Sequence, residues 1–314
     1  MSLTIGVDIG GTKVAAGVVD ESGTLLANAL RDTPAEDPAK TVEVIAEVIA
    51  ELRAAHEVEA IGLGAAGFID ATRSTVVFAP NLAWRNLALR ETVEQQCGLP
   101  VVVENDANAA AWGESRFGAA RSVDSMVMLT IGTGIGGGVV LDGALYRGMN
   151  GMAAEIGHMT VVAEGRRCGC GNRGCWERYA SGRALVREAR DLADVYPEYA
   201  SRMLELGDGD PEGITGPEVT QAANEGDPAA LEAFDFVADW LGRGMASLAA
   251  LLDPGMFVLG GGVSDAGELL RGPAETAFLS RLTGRAYRHA PAIALAELGG
   301  EAGIVGAADL ARRR

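Results

Sequence analysis

Three of the chain's four cysteines and one of its three histidines fall within eighteen residues, as His158, Cys168, Cys170 and Cys175. One imidazole and three thiolates complete a tetrahedral ligand set for a structural Zn²⁺ ion, and with all four positions filled such an ion has no open site for Lewis-acid work. The glycines of Cys168-Gly169-Cys170-Gly171-Asn172-Arg173-Gly174-Cys175 permit a backbone tight enough to carry thiolates this close together. A buried-thiol cluster, or a Cys168–Cys175 disulfide with Cys170 left over, are the other readings of the spacing. Both leave His158 without a role. Glu155, three residues before the histidine, and Glu177, two after the last cysteine, add carboxylates able to accept from hydroxyl groups.

A second chemistry lies in the glycine turns. Asp8-Ile9-Gly10-Gly11-Thr12-Lys13 sits between two strand-like runs rather than before a long helix. That excludes a P-loop or a dinucleotide fingerprint, both of which need a helix N-terminus after the turn. Consecutive glycines still bring backbone N–H groups to phosphate oxygens, with Thr12 donating a hydroxyl and Lys13 a charge. Asp8, at a strand end, can hold Mg²⁺ through water. Ile131-Gly132-Thr133-Gly134-Ile135 repeats the pattern, and Gly260-Gly261-Gly262 lets a base or ribose approach the backbone. One such turn is ordinary; three in one chain point to a nucleotide phosphate.

Glu104-Asn105-Asp106-Ala107-Asn108 supplies the acid–base candidate. It follows a strand and opens a helix, where α/β sheets place their ligand crevice. Asn105 or Asp106 can simply cap the helix. Functionally, Asp106 can take the proton of a hydroxyl attacking a phosphoryl group, while Asn105 grips a neighbouring hydroxyl.

The elements that must position these residues follow from periodicity. Leu3–Asp8, Val14–Asp20 and Thr24–Leu30 alternate as an antiparallel meander, and Ala39–His56 carries apolar residues at helical spacing. Ala60–Ala65 and Val101–Val103 read as strands, Leu87–Gln96 and Ala107–Phe117 as helices. Ser125–Ile131 and Gly136–Leu141 then repeat the strand–turn–strand opening roughly 120 residues on, which suggests a duplicated α/β architecture. Helices are expected over Gly182–Val195, Gly216–Glu225, Pro228–Leu252 and Ala302–Ala311, strands over Met256–Leu259 and Ile293–Ala296, and a surface loop over Leu206–Gly216.

The 314 residues carry a net charge of −17, which argues against a nucleic-acid or anionic-membrane surface. The N-terminus shows no signal-peptide pattern and no apolar run spans a bilayer. Cysteines gathered as for a metal suit a reducing cytoplasm.

Together, Asp8–Lys13, Asn105-Asp106, Glu155-Ile156-Gly157-His158 and Cys168–Glu177 resemble the ROK family of sugar kinases and sugar-responsive repressors. The resemblance runs from about residue 3 to residue 310 and is nearest the bacterial, actinobacterial-type branch of ATP-dependent glucokinases, to which Pro80-Asn81 and Asn105–Trp112 are also similar. It implies an actin-like ATPase (ribonuclease H-like) fold of two α/β lobes, 1–117 with the closing helix 301–314, and 118–300 with a zinc loop at 155–177, around a central cleft. It implies phosphorylation of glucose at the 6-hydroxyl by MgATP with Asp106 as base. Asn105, Glu155, His158 and Glu177 match sugar-binding positions, Gly67 and Asn81 less closely. Gly10, Gly11, Thr12, Lys13, Thr133 and Gly134 match phosphate turns, Asp8 and Gly261 the nucleotide region, and His158, Cys168, Cys170 and Cys175 the zinc ligands. A cytoplasmic homodimer or homotetramer acting on glucose and ATP, without nucleic acid or membrane, is the expectation. Kinases for N-acetylmannosamine, fructose or mannose share these motifs, and polyphosphate is an alternative donor. A sugar-sensing repressor would carry a helix-turn-helix before the phosphate turn, where only seven residues precede Asp8.

Overall fold

The computed structural model describes residues 2–313. Two compact units make up the chain: Met1–Met128, Gly137–Ala154 and Ala296–Arg314 form the first, Leu129–Gly136 and Glu155–Leu295 the second.

The first unit opens with β1 (Thr4–Ile9), β2 (Lys13–Val19) and β3 (Leu25–Asp32), followed by α1 (Pro38–Arg53) and β4 (Ala60–Ala65). Three short strands, β5 (Phe68–Ile69), β6 (Val76–Phe78) and β7 (Arg85–Leu87), form a small antiparallel sheet. Then come α2 (Leu89–Cys97), β8 (Val101–Asn105) and α3 (Asp106–Arg116). The main sheet has the order β3-β2-β1-β4-β8, antiparallel across the meander and parallel from β1 through β4 to β8. α1 starts where Asp37 accepts from the Ala39 and Lys40 amides and Pro38 occupies the first turn. Its apolar stripe, Val42, Ile45, Val48, Ile49 and Leu52, is buried in the core with Ile5, Val7, Ile61 and Leu63 of β1 and β4. The helix expected from Leu87 begins at Leu89 because Arg85–Leu87 pairs with β6 instead.

The chain continues through β9 (Met126–Ile131), β10 (Ile135–Leu141) and β11 (Ala144–Leu145) into α4 (Glu177–Ala180), α5 (Gly182–Val195), α6 (Ser201–Leu206), α7 (Gly216–Asn224) and α8 (Pro228–Leu252). β12 (Met256–Gly260), α9 (Glu268–Arg281), β13 (Ala292–Leu295) and α10 (Ala302–Arg312) complete it. The second five-stranded sheet has the order β11-β10-β9-β12-β13, with β12 and β13 parallel. In the second unit, α8 packs against α4, α5, α7 and α9. Periodicity does not announce α9, whose interior holds Pro273, a residue that reads as a helix breaker. Nor does it announce α6, whose start is held from outside: the buried Asp227 caps α8 through the Ala230 amide and also accepts from the Arg202 and Met203 amides at 2.9 and 3.2 Å. The expected loop Leu206–Gly216 contains a 3-10 turn at Pro211–Gly213 and buries Ile214.

α10 belongs to the first unit, where it packs on β1, β4 and α3. Glycine permits that approach. Gly6 and Gly62 leave no room for a side chain against the carbonyls of Ile304 and Ala307, and Gly306 none against Ala109. Asp309, 2% exposed, accepts from the Trp112 indole at 2.9 Å and pairs with Arg116, Arg312 and Arg313. Among the described residues no helix is long and apolar enough to cross a membrane.

Candidate active site and metal centre

In the first unit the hairpin turn, the acid–base candidate and two of the weaker sugar positions gather at the C-terminal ends of parallel strands. Asp8 is the last residue but one of β1, and the turn after the strand is closed by the Gly10 amide donating to the Lys13 carbonyl at 3.0 Å. Thr33 braces it, donating its hydroxyl to the Gly10 carbonyl at 2.9 Å and its amide to the Thr12 carbonyl at 3.0 Å. Thr12 and Lys13 are exposed. Asn81 packs on Gly11, where a side chain would meet its Cβ at 3.0 Å. Gly67 in turn lies against Phe78 and Ala79, and its carbonyl accepts from Asn105 Nδ2 at 3.2 Å. Gly303 of α10 faces the Asp8 carboxylate, the position of its missing Cβ lying 3.2 Å from Oδ2.

Asn105 is both the last residue of β8 and the cap of α3, its Oδ1 accepting from the Asn108 amide at 3.0 Å. Capping thus falls to Asn105, and Asp106, the first helical residue, is free of that task. Burial pushes the Asp106 carboxyl above its ordinary value, against hydrogen bonds from backbone amides and Asn105. Burial and the charge of Asp106 raise Asp8 to about 7. Asp8 thus presents a buried carboxylate next to the glycine turn, and carboxylate oxygens are the donors a hard cation such as Mg²⁺ takes.

Glu104 is a part of this site that sequence reasoning missed. Only 1% exposed, it lies 2.7 Å from Arg147 Nε and 3.2 Å from Arg73 Nε. Its Oε1 accepts from the Asn105 amide and from Asn108 Nδ2, at 3.0 and 3.1 Å. Arg147 also donates to the Asp70 and Ala71 carbonyls. The carboxylate thus clamps the start of α3 and ties it to the β5–β6 turn. A Glu beside Asn-Asp is visible in sequence, but its arginines stand 31 and 43 residues away with no spacing to join them.

In the second unit, Gly132, Thr133 and Gly134 form the turn between β9 and β10, closed by the Gly132 amide on the Gly134 carbonyl at 3.0 Å. Gly261, at φ +83°, leaves no room for a side chain against the Ile131 backbone, and the Val263 amide donates to the Ile131 carbonyl. The structure therefore brings the Gly261 turn beside the Gly132–Gly134 turn. A cavity of about 610 Å³ opens along Gly132, Thr133 and the first turns of α5.

The four metal candidates of the same unit meet: one donor atom from each of His158, Cys168, Cys170 and Cys175 lies within 4.8 Å of all the others. Cys170 Sγ and Cys175 Sγ are 3.6 Å apart, and Cys168 Sγ lies 3.7 Å from His158 Nδ1. Zn–S bonds of about 2.3 Å in a tetrahedron give edges of about 3.8 Å, so the cluster fits the ion. A disulfide needs about 2.05 Å, and all three thiols are free, which removes the Cys168–Cys175 bridge. Without a cation, burial and the Glu177 carboxylate push the Cys168 thiol up, and burial and Cys170 push Cys175 up. A bound divalent cation acts in the opposite direction. Nδ1 of His158 faces the thiols, leaving Nε2 for another partner. Trp176 anchors the loop, donating its indole N–H to the Trp240 carbonyl of α8 at 2.8 Å above Gly244.

Glu177 stands between the two features of this unit. Its Oε1 accepts from Cys168 Sγ at 2.9 Å, while Oε2 lies 2.5 Å from where a Gly134 side chain would begin. Glu155 precedes the 3-10 turn Ile156–His158, its carbonyl accepting from the His158 amide at 3.0 Å.

The sequence profile of the ROK family matches residues 4–314. The chain is 51% identical to the glucokinase of Streptomyces coelicolor over 99% of its own length and 98% of that protein's. Its structure resembles a ROK family glucokinase from Streptomyces griseus in complex with glucose and AMPPNP, with a TM-score of 0.92, 53% identity and full coverage of both chains. It also resembles a ROK hexokinase from Thermus thermophilus, with a TM-score of 0.82 and 38% identity over 99% of this chain and 98% of that one.

Proposed function

The chain belongs to the ROK family, and from that premise we propose that it transfers the γ-phosphoryl group of MgATP to the 6-hydroxyl of glucose. The observation that carries this reading is whole-length likeness to a glucokinase that binds glucose and an ATP analogue. The geometry of each unit supports it. Asp106, at the first position of α3 and with its carboxyl raised by burial, accepts the hydroxyl proton as the sugar oxygen attacks phosphorus. The new O–P bond forms as the bond to the bridging oxygen of ADP breaks, and the proton stays on the Asp106 carboxylate. Positioning and charge neutralisation account for most of the remaining acceleration in such transfers. Beyond the Gly10 and Gly132 amides that close them, the two glycine turns offer the Thr12 and Thr133 hydroxyls and the Lys13 ammonium to phosphate oxygens. Asp8 would hold, through water, the Mg²⁺ that accompanies the donor and offsets its charge.

The likeness to the family assigns sugar contacts to Asn105, Gly67 and Asn81 in the first unit and to Glu155, His158 and Glu177 in the second. His158, Cys168, Cys170 and Cys175 would hold Zn²⁺, which with all four positions filled would supply no Lewis acidity and would order the segment that carries Glu155, His158 and Glu177. The enzyme works in this reading as a cytoplasmic homodimer or homotetramer on two small molecules.

A panel of glucose, mannose, fructose and N-acetylmannosamine against ATP and polyphosphate, read as kcat/KM from product release, tests the proposal. Glucose with ATP gives the highest value. A higher value for another sugar moves the substrate, and no sugar-dependent ADP release refutes the kinase.

A further inference from the structure

We infer that Arg183 binds the phosphate chain of the nucleotide donor. The inference rests on the kinase reading above, and three observations within the second unit carry it.

The first is a cavity of about 610 Å³, well within the range of small-molecule sites. It is lined by Gly132 and Thr133 of the β9–β10 turn, by Gly182, and by three arginines of α5, Arg183, Arg187 and Arg190. The spacing i, i+4, i+7 puts the three guanidinium groups on one helix face, while Ala184, Leu185 and Ala189 are buried in the core.

The second is the division of labour among those arginines. Arg190 is committed to the wall: Nε donates to the Ile214 carbonyl at 2.9 Å, NH2 to the Glu212 carbonyl at 2.6 Å, and NH1 pairs with the Glu212 carboxylate at 2.5 Å. Arg187 donates through NH2 to the Arg178 carbonyl at 2.8 Å, and its buried Nε has no partner. Arg183 is exposed and makes no hydrogen bond or ion pair among the described residues. A planar fork of five donors, uncommitted and charged, is what bidentate phosphate recognition uses.

The third is rigidity. The Gly182 amide donates to the Gly132 carbonyl at 2.8 Å, and the Ser181 hydroxyl caps α5 through the Ala184 amide at 3.3 Å. The backbone at Arg183 is therefore held one residue from a contact with the turn that carries Thr133. Glu212 is paired with Arg190, and although Asp191 also lines the cavity, three arginines against two carboxylates leave it net positive.

The experiment is calorimetric titration of the zinc-loaded, full-length protein with ADP and with adenosine, in Mg²⁺, for the wild type, Arg183→Ala and Arg183→Lys. Arg183→Ala weakens ADP by roughly 10-fold or more, the scale of a hydrogen-bonded charge pair. It leaves adenosine within about twofold, and Arg183→Lys recovers part of the loss. The KM for ATP rises in parallel while the KM for glucose does not. Since Arg183 is exposed, the melting temperature should stay at the wild-type value. Unaltered ADP affinity in a folded Arg183→Ala protein overturns the inference and leaves the kinase reading standing, as does equal weakening of ADP and adenosine. A wild type that binds neither probe and releases no ADP with glucose overturns both.

Discussion

Asp106 and Asp8 illustrate how one local environment sets two different chemistries. Both carboxyls are raised mainly by burial, and Asp8 also by its neighbour's charge. Replacing Asp106 with Asn keeps shape and removes the proton acceptor, so kcat should fall by about 10²–10⁴. Glucose affinity, measured by tryptophan fluorescence, should be retained; a near-normal kcat would reassign the base. Asp8 makes a pH prediction for the ligand-free protein. Its folded value of about 7 exceeds the unfolded 3.8, so the folded state binds the extra proton between these limits. Stability is then highest with Asp8 protonated and declines as pH rises from about 4 to about 7. Asp8→Asn should flatten that decline, and chemical denaturation at pH 5 and pH 8 should show the gap between variant and wild type widening at the higher pH. An unchanged gap would mean that Asp8 is already ionised at pH 5.

At the scale of elements, the metal loop and the closing helix each make a prediction with a definite sign. The loop is built from turns, a bridge between Thr160 and Cys175, and glycines at positive φ such as Gly174. Its buried apolar side chains besides the thiols are few, Ile156 and Trp176, so the ion should account for much of its order. Chelation, or Cys168→Ser, should lower the melting temperature and raise the KM for glucose together. A folded zinc-free protein with an unaltered glucose KM would separate the ion from the sugar site. Gly306 lies inside α10, where alanine is ordinarily favoured by about 1 kcal/mol. Here its absent side chain would strike the Ala109 carbonyl of α3. Gly306→Ala should therefore destabilise by about 1–3 kcal/mol. A gain in denaturation midpoint would show that the helix can shift away.

At the scale of the whole molecule, what could be read from sequence is what lies close together along the chain. The His158–Cys175 ligand set is complete within one segment, and the meander, β4 and α8 each announce themselves by period and turn chemistry. Features assembled from distant residues were silent. Glu104 meets Arg73 and Arg147 only through the sheet, and Asp227 starts a helix far upstream of itself. The arginine face of α5 looks like an ordinary solvated stripe until the glycine turn is placed against its first residue. α9 was hidden by Pro273, a local signal that tertiary packing overrides. The net charge of −17 belongs to this scale too. In a gel-shift assay at physiological salt the protein should leave duplex DNA unretarded, and a sequence-specific complex would favour the repressor side of the family.

The place of α10 also has a consequence for how the protein is made. Gly6 and Gly62, emerging early from the ribosome, wait bare for a helix translated roughly 240 residues or more later. Until then the face of β1 and β4 that will receive Ile304 and Ala307 is uncovered, so the first half of the polypeptide cannot finish folding in the order in which it is synthesised. A polypeptide ending before residue 302 would leave that sheet face open, because the helix that covers it is the last to be made.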